Sequence, residues 1–223
     1  MECSGMFENK GTGMIIGVCG LIGAGKDTIA DYLVNIHEFR RESFAGTLKD
    51  AVSAVFGWDR VMLEGRTRAS RAWRETPDAW WTQRLDREIT PRWVLQHWGT
   101  EVCRRGFHDD IWIASLENKL RDSVDNIVIS DCRFPNEIAA IRRAGGAVIR
   151  VMRGPDPVWF EAAKHHFAGG LALLTDMPHA SEWSWAATEF DAVIDNNGSM
   201  DDLYLRVNDL VQDRLAAKLD RCD

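Results

Sequence analysis

The clearest hydrophobic pattern in the chain begins at Met14 to Gly20 (MIIGVCG), a compact apolar and β-branched run that predicts a buried strand. A glycine-rich turn follows, and Thr28, Ile29, Tyr32, Leu33 and Ile36 then recur at helical spacing, so the start reads as strand, loop, helix. Further buried strands are predicted at 127–130 (IVIS), 147–152 (AVIRVM) and 191–194 (DAVI), with a weaker one around 41–44. Helical patterns lie between them at 47–56, 91–105, 109–121, 135–144, 157–167 and 200–219. Alternating strands and helices with continuously apolar strands predict an α/β fold, a parallel sheet covered by helices on both faces.

Residues 58–90 break this alternation, being helical or loop-like and offering no strand. Thr90-Pro91 then starts a helix, Thr as N-cap and Pro at the first position. The expectation is one domain, with a core of about 14–57 and 113–219 and a helical insertion at about 58–112. There are no internal repeats or low-complexity segments.

Composition changes the picture in one place. The 223 residues are 45% hydrophobic with a net charge of −7, enough for a core and opposed to a protein that coats bulk nucleic acid. Residues 58–112, however, hold seven of the ten Trp and ten Arg against nine carboxylates, which makes this window the least acidic large part of the chain. Arg recognises oxyanions through a planar fork, while most of the Trp are expected in packing. The five Cys, at 3, 19, 103, 132 and 222, show no metal-ligand spacing and predict reduced thiols, with Cys19 and Cys132 as small core residues. The start, MECSGMFENKGTG, lacks the pattern of a secretion signal, and no apolar stretch reaches membrane-spanning length, so a soluble, cytoplasmic protein is expected.

The first motif with chemistry is Gly20-Leu21-Ile22-Gly23-Ala24-Gly25-Lys26-Asp27-Thr28. It fits GxxxxGK but carries Asp where the phosphate-loop pattern has Ser or Thr. Backbone N–H groups of such a loop surround phosphate oxygens, the following helix directs its positive end there, and Lys26 would reach the β- and γ-phosphates. A strand before the turn and an amphipathic helix after it are the context this motif requires. Asp27 either holds a hydrated Mg²⁺ or stabilises the helix N-terminus. The glycine spacing is not GxGxxG, which argues against a dinucleotide fold.

Asp131 ends the IVIS strand at the carboxyl edge of the sheet, where open α/β folds bind ligands, and Arg133 follows it. Metal-phosphate chemistry and an N-cap with a surface ion pair both fit that arrangement. On the 91–105 helix, Gln96, Thr100 and Arg104 share one stripe with Trp93 beside it, either a polar binding face or a solvated one. Gly99 in the same helix permits close approach to the backbone.

Taken together, GLIGAGKDTIADYL (20–33), SFAGTLKDAV (43–52), TPRWVLQHWGTEVCRRGFHDDIWI (90–113), DCRFPNEI (131–138) and DAVIDNNGSMDDL (191–203) resemble the bacteriophage-type deoxynucleoside monophosphate kinases, which have a P-loop kinase fold. The resemblance covers most of 14–210. It implies an enzyme that transfers the γ-phosphoryl of ATP, with Mg²⁺, to a deoxynucleoside monophosphate. Carried onto this chain, it makes Gly23, Ala24, Gly25, Lys26, Asp27 and Thr28 the ATP phosphate site. It places Phe44 and Lys49 at the acceptor, and Gln96, Thr100 and Arg104 around its monophosphate. Asp131 and Arg133 would sit near the transferring group, and Asn196 and Gly198 would border adenine. Arg66 and Arg74 become acceptor-phosphate or lid arginines, and Arg153 a cation on the ATP side. Lys26, Arg104, Asp131 and Arg133 are the expected catalytic set, and a homodimer is implied.

No general base is needed, because the acceptor phosphate is already ionised and catalysis reduces to alignment and charge neutralisation. The histidines, among them His165, His166 and His179, are accordingly expected in structural roles. Two alternatives stand beside this reading: a kinase acting on a hydroxymethylated base in DNA, and a nucleotide-binding NTPase that needs no acceptor.

Overall fold

The computed structural model describes residues 13–167 and 178–219. Cys3, Cys222 and the start read above as lacking a secretion signal lie outside the described residues. In chain order the elements are β1 (Ile15–Cys19), α1 (Lys26–His37), β2 (Arg40–Glu42), α2 (Gly46–Phe56), α3 (Arg60–Glu64), α4 (Arg68–Glu75), α5 (Ala79–Leu85) and α6 (Pro91–Gln96). A π-helical stretch (His97–Arg105) precedes α7 (Ile111–Leu120), β3 (Ile127–Ile129), α8 (Pro135–Arg143), β4 (Ala147–Met152), α9 (Val158–Phe167), a short 3-10 turn (Ala180–Glu182), β5 (Ala192–Asp195) and α10 (Met200–Leu219). No helix among the described residues is long and apolar enough to cross a membrane.

The chain divides into two compact units, Met1–Glu42 with Arg121–Asp223, and Ser43–Leu120. Among the described residues the first carries all five strands, each parallel to its neighbours in the order β2-β3-β1-β4-β5. Strand alternation sorts the side chains into two apolar faces. Ile16, Val18, Val128, Ile149, Val151 and Ile194 pack with Ile29 and Leu33 of α1 and Leu203 and Val207 of α10. On the opposite face a Cβ at Gly17 would lie 2.6 Å from Ile141 of α8 and 3.1 Å from the Cys132 thiol, so glycine there lets α8 approach the sheet. Cys19 and Cys132 are both buried and unpaired by disulfide, and burial pushes the Cys132 thiol well above its usual pKa.

The helical unit is wider than the window 58–112, since it takes in α2 and α7. Thr47 of α2 and Ser115 of α7 share a hydrogen bond of 2.8 Å, and Leu48 of α2 packs against Gly99. An aromatic cluster absorbs much of the Trp excess. Phe56 stacks on Trp58 with centroids 4.5 Å apart and meets Trp81 and Trp98 at 4.8 and 5.3 Å. The buried indoles are satisfied: Trp58 donates to Asp78 at 2.8 Å, and Trp112 to the carbonyl of Gly99 at 2.9 Å. The expected α-helix over 91–105 becomes π-helical from His97. Gly99 and the β-branched Thr100 and Val102 weaken α propensity there, and the Trp112 indole binds the Gly99 carbonyl. The opening at Gly99 is thus filled by Leu48, whose Cδ2 lies 2.9 Å from where a Cβ would be.

Candidate functional site

In the sheet unit the chain leaves β1 through a turn whose backbone only glycine adopts readily: φ is +80° at Gly23 and +110° at Gly25. Lys26 opens α1, and its ammonium donates to the carbonyls of Gly20 and Leu21 at 2.8 and 2.9 Å, inside the loop. Burial lowers the Lys26 pKa, and the nearby Arg133 cation lowers it further, while Asp27, Glu182 and Cys19 act in the other direction. Among the described residues no side chain caps the N-terminus of α1, and its first amide groups point to where an anion would bind. Thr28 borders a groove of about 370 Å³ along α1 with Asp31, Tyr32, Asn35, Ile36 and Tyr204.

Asp27 lies in the first turn of α1, and its Oδ1 accepts from Arg41 of β2. Arg41 also donates to Asp31 and to Ser130 Oγ, each at 2.7 Å. Sequence reading missed Arg41 because β2 is the weakest strand pattern and a lone Arg on it carries no motif.

Beyond β3, Arg133 donates to Glu182 Oε1 at 2.7 Å, and Asp131 acts on it electrostatically. Glu137, buried on α8, accepts from the backbone N–H of Arg133 and of Phe134 at 2.7 and 3.1 Å, which holds the segment after Asp131 in place. Arg133 is therefore the electrostatic neighbour of both Lys26 and Asp131, with Glu182 as an added member of the cluster. Arg153 is exposed on the loop after β4.

The stretch after β5 is tied to the loop. Asn196 Nδ2 donates to the carbonyl of Ala24 at 2.8 Å, and Asn197 Oδ1 accepts from the N–H of Gly154 at 2.7 Å. Gly198 faces Asp202, whose carboxylate accepts from the Ser199 amide and hydroxyl at 2.9 and 2.7 Å, while Ser199 Oγ accepts from the Asp202 N–H at 3.2 Å and so caps α10. Glycine at 198 leaves room for that cap.

The helical unit gathers the remaining candidates. Phe44 is buried, and Lys49 forms an ion pair of 2.7 Å with Glu64. Glu64 also binds Arg60, which reaches Asp50 at 2.5 Å. Burial alone would raise the Glu64 pKa, but Lys49 and Arg60 outweigh it and hold the carboxyl at about 2. Arg66 is exposed, and its carbonyl accepts from Arg71 at 2.9 Å. Arg74 packs over Gly65, where φ is +68° and a Cβ would fall 2.2 Å from the guanidinium carbon. That contact makes Arg74 a support for the turn after α3.

Trp93 is half-buried, stacked with His97 at a centroid distance of 4.7 Å and covered by the Arg87 guanidinium at 3.8 Å. Gln96 is half-buried, and Thr100 and Arg104 are buried. Arg104 Nη1 donates to the backbone carbonyl of Asp109 at 3.0 Å. Of the stripe expected at Gln96, Thr100 and Arg104, the last two residues are thus turned inward within the π-helical stretch.

Among the described residues no three His, Cys, Asp or Glu converge to hold a metal. Mg²⁺ bound with a nucleotide does not require such a cage, since it keeps waters and takes one or two carboxylates besides phosphate oxygens. Asp27 fits that demand, its side chain being 66% exposed beside the loop with only Oδ1 committed to Arg41.

A sequence model of the family described as deoxynucleotide monophosphate kinase matches residues 80–207. A protein of Acanthamoeba polyphaga mimivirus named "Putative deoxynucleotide monophosphate kinase" is 29% identical over 207 residues, covering 87% of this chain and 94% of its own. The deoxynucleoside-5'-monophosphate kinase of Escherichia phage T5 is 26% identical over 179 residues, covering 58% of this chain and 72% of its own. Among solved structures, a gluconokinase from Sinorhizobium meliloti aligns over 93% of this chain and 95% of that chain, with 15% identity and a TM-score of 0.41.

Proposed function

The chain belongs to the deoxynucleotide monophosphate kinase family, enzymes of phosphoryl transfer to a deoxynucleoside monophosphate, and we propose that the donor is ATP held on residues 20–28. The observation that carries this reading is Lys26: a part-buried ammonium held inside a glycine loop by two main-chain carbonyls, at the foot of a helix with no side-chain cap among the described residues. Phosphate oxygens replace those carbonyls as partners at little cost, because each exchange is one charge-assisted hydrogen bond for another.

Phosphoryl transfer asks the protein for alignment and for cations against the charge on the transferring group. Lys26 and Arg133 supply two such cations. Glu182 holds Arg133, Glu137 orients the segment that bears it, and Asp131 acts on its charge. When bound, Mg²⁺ would neutralise phosphate charge, with Asp27 as the residue that holds its hydration shell. Asn196 keeps the loop in shape through Ala24 and Gly25, and Gly198 and Arg153 belong to the same donor side. On the acceptor side, Phe44, Lys49, Trp93, Gln96, Thr100 and Arg104 receive the nucleotide, with Arg104 as the phosphate ligand and Arg66 as an auxiliary cation. Arg74 maintains the turn between α3 and α4.

We place the reaction in the cytoplasm, where free nucleotides and unpaired thiols such as Cys19, Cys103 and Cys132 belong together, and read the enzyme as a homodimer on the family resemblance. The test is ADP release with ATP and Mg²⁺ against each deoxynucleoside monophosphate, the ribonucleotides, and duplex DNA bearing hydroxymethyl bases. Release that depends on one or more free deoxynucleotides is the expected result. Release without any acceptor would replace this reading with an NTPase.

A further inference from the structure

Arg41 is the most heavily engaged cation next to the phosphate loop. Its side chain is 16% exposed, against 66% and 57% for its partners Asp27 and Asp31. One guanidinium joins three elements: α1 through the two carboxylates, which stand one turn apart, β2 on which Arg41 lies, and the end of β3 through Ser130. A planar fork with several donors lets one side chain hold all three.

The place of Asp27 makes that arrangement more than bracing. Asp27 directly follows the loop lysine, so its carboxylate sits where a nucleotide would bring several negative charges. In water such an exposed carboxylate is largely screened. A polyphosphate on the loop would displace that water, and the repulsion would then be felt at short range. Lys26 alone cannot both answer Asp27 and serve the nucleotide.

We propose that Arg41 is a positioning residue of the phosphate loop, the fixed counter-cation that neutralises Asp27 and lets a carboxylate stand beside Lys26 where a nucleotide polyphosphate binds. The inference rests on the phosphate-loop reading above. Asp31, one turn further from the loop, anchors the second arm of the guanidinium, and Ser130 fixes its plane.

The test is the affinity for ATP in EDTA, by isothermal titration calorimetry, of the wild-type chain and of R41Q, R41K, D27N and D27N/R41Q, with folding checked by circular dichroism. R41Q should bind at least about tenfold more weakly, equal to about 1.4 kcal/mol. D27N should bind as tightly as wild type or more tightly, and D27N/R41Q should return to within about threefold of wild type, as should R41K. A mere brace would show the reverse, because the double variant lacks every charged contact between the two side chains. A double variant as weak as R41Q, or R41Q within about twofold of wild type, would overturn the proposal. Should R41Q not fold, weaker binding by D27N than by wild type would overturn it equally. Failure of the wild-type chain itself to bind ATP would instead remove the phosphate-loop reading, and this inference with it.

Discussion

The side-chain amide of Asn196 fills the space that a Cβ on Gly25 would need: its Nδ2 lies 2.4 Å from that position and donates to the Ala24 carbonyl at 2.8 Å. Two residues far apart in the chain therefore share one small volume, and glycine at 25 is required twice, by its φ of +110° and by this amide. The end of β5 thereby helps to shape the loop that follows β1.

Substituting Gly25 by Ala should destabilise the protein by about 2–4 kcal/mol, from backbone strain at positive φ added to the displaced amide hydrogen bond. Asn196→Ala should lose only about 1 kcal/mol, the hydrogen bond alone. Denaturant unfolding of both variants measures the difference, and equal losses would mean that the positive φ at Gly25 adds no strain of its own.

Lys26→Ala is expected to reduce ADP release with every acceptor by at least about a thousandfold, since it removes a preorganised cation from the transferring group. The fold should persist, because the ammonium binds only loop carbonyls. Coupled-assay turnover with near-wild-type circular dichroism is the expected pair of results.

Arg104→Lys keeps the charge but loses the planar fork, and should raise KM for the deoxynucleotide by about tenfold or more while leaving KM for ATP within about twofold. Steady-state kinetics with each substrate varied in turn decide this. Parallel rises in both constants would remove Arg104 from the acceptor pocket.

Glu64 supplies an acid-side stability difference. Its folded pKa of about 2 lies below its ordinary 4.5, so its contribution is fully present above pH 4.5 and is lost as pH falls toward 2. Solvent screening of this part-exposed carboxylate limits the effect to about 1–2 kcal/mol. In Glu64→Gln that increment should vanish, so the stability gap between wild type and variant should narrow between pH 5 and pH 2 in urea titrations. A constant gap would mean that Lys49 and Arg60 do not hold the carboxyl in the folded state.

Most of the architecture was legible along the chain because it rests on short-range pattern. The strand at 147–152 and the helix at 200–219 match the structure end to end, and the phosphate loop sits between β1 and α1. The π winding from His97 was hidden, since Gly99, Thr100 and Val102 only weaken the α form, and the Trp112 indole and Leu48 that accompany the departure come from other elements. The Trp excess in 58–112 was visible as composition, but only the structure separated Trp58, Trp81 and Trp98, clustered on Phe56, from Trp93, which keeps an Arg and a His on its ring.

The sequence by itself determined which segments alternate between strand and helix, where the glycine loop and its lysine lie, and which family the motifs resemble, because contiguous residues encode each of these. Only the tertiary structure decided what the charged and polar side chains at the loop do. Asp27 meets Arg41 because parallel pairing sets β2 beside β3, and Asn196 reaches Ala24 because β5 pairs with β4 and β4 with β1. Strand order brings such partners together across 14 and 172 positions, and no periodicity along the chain records it.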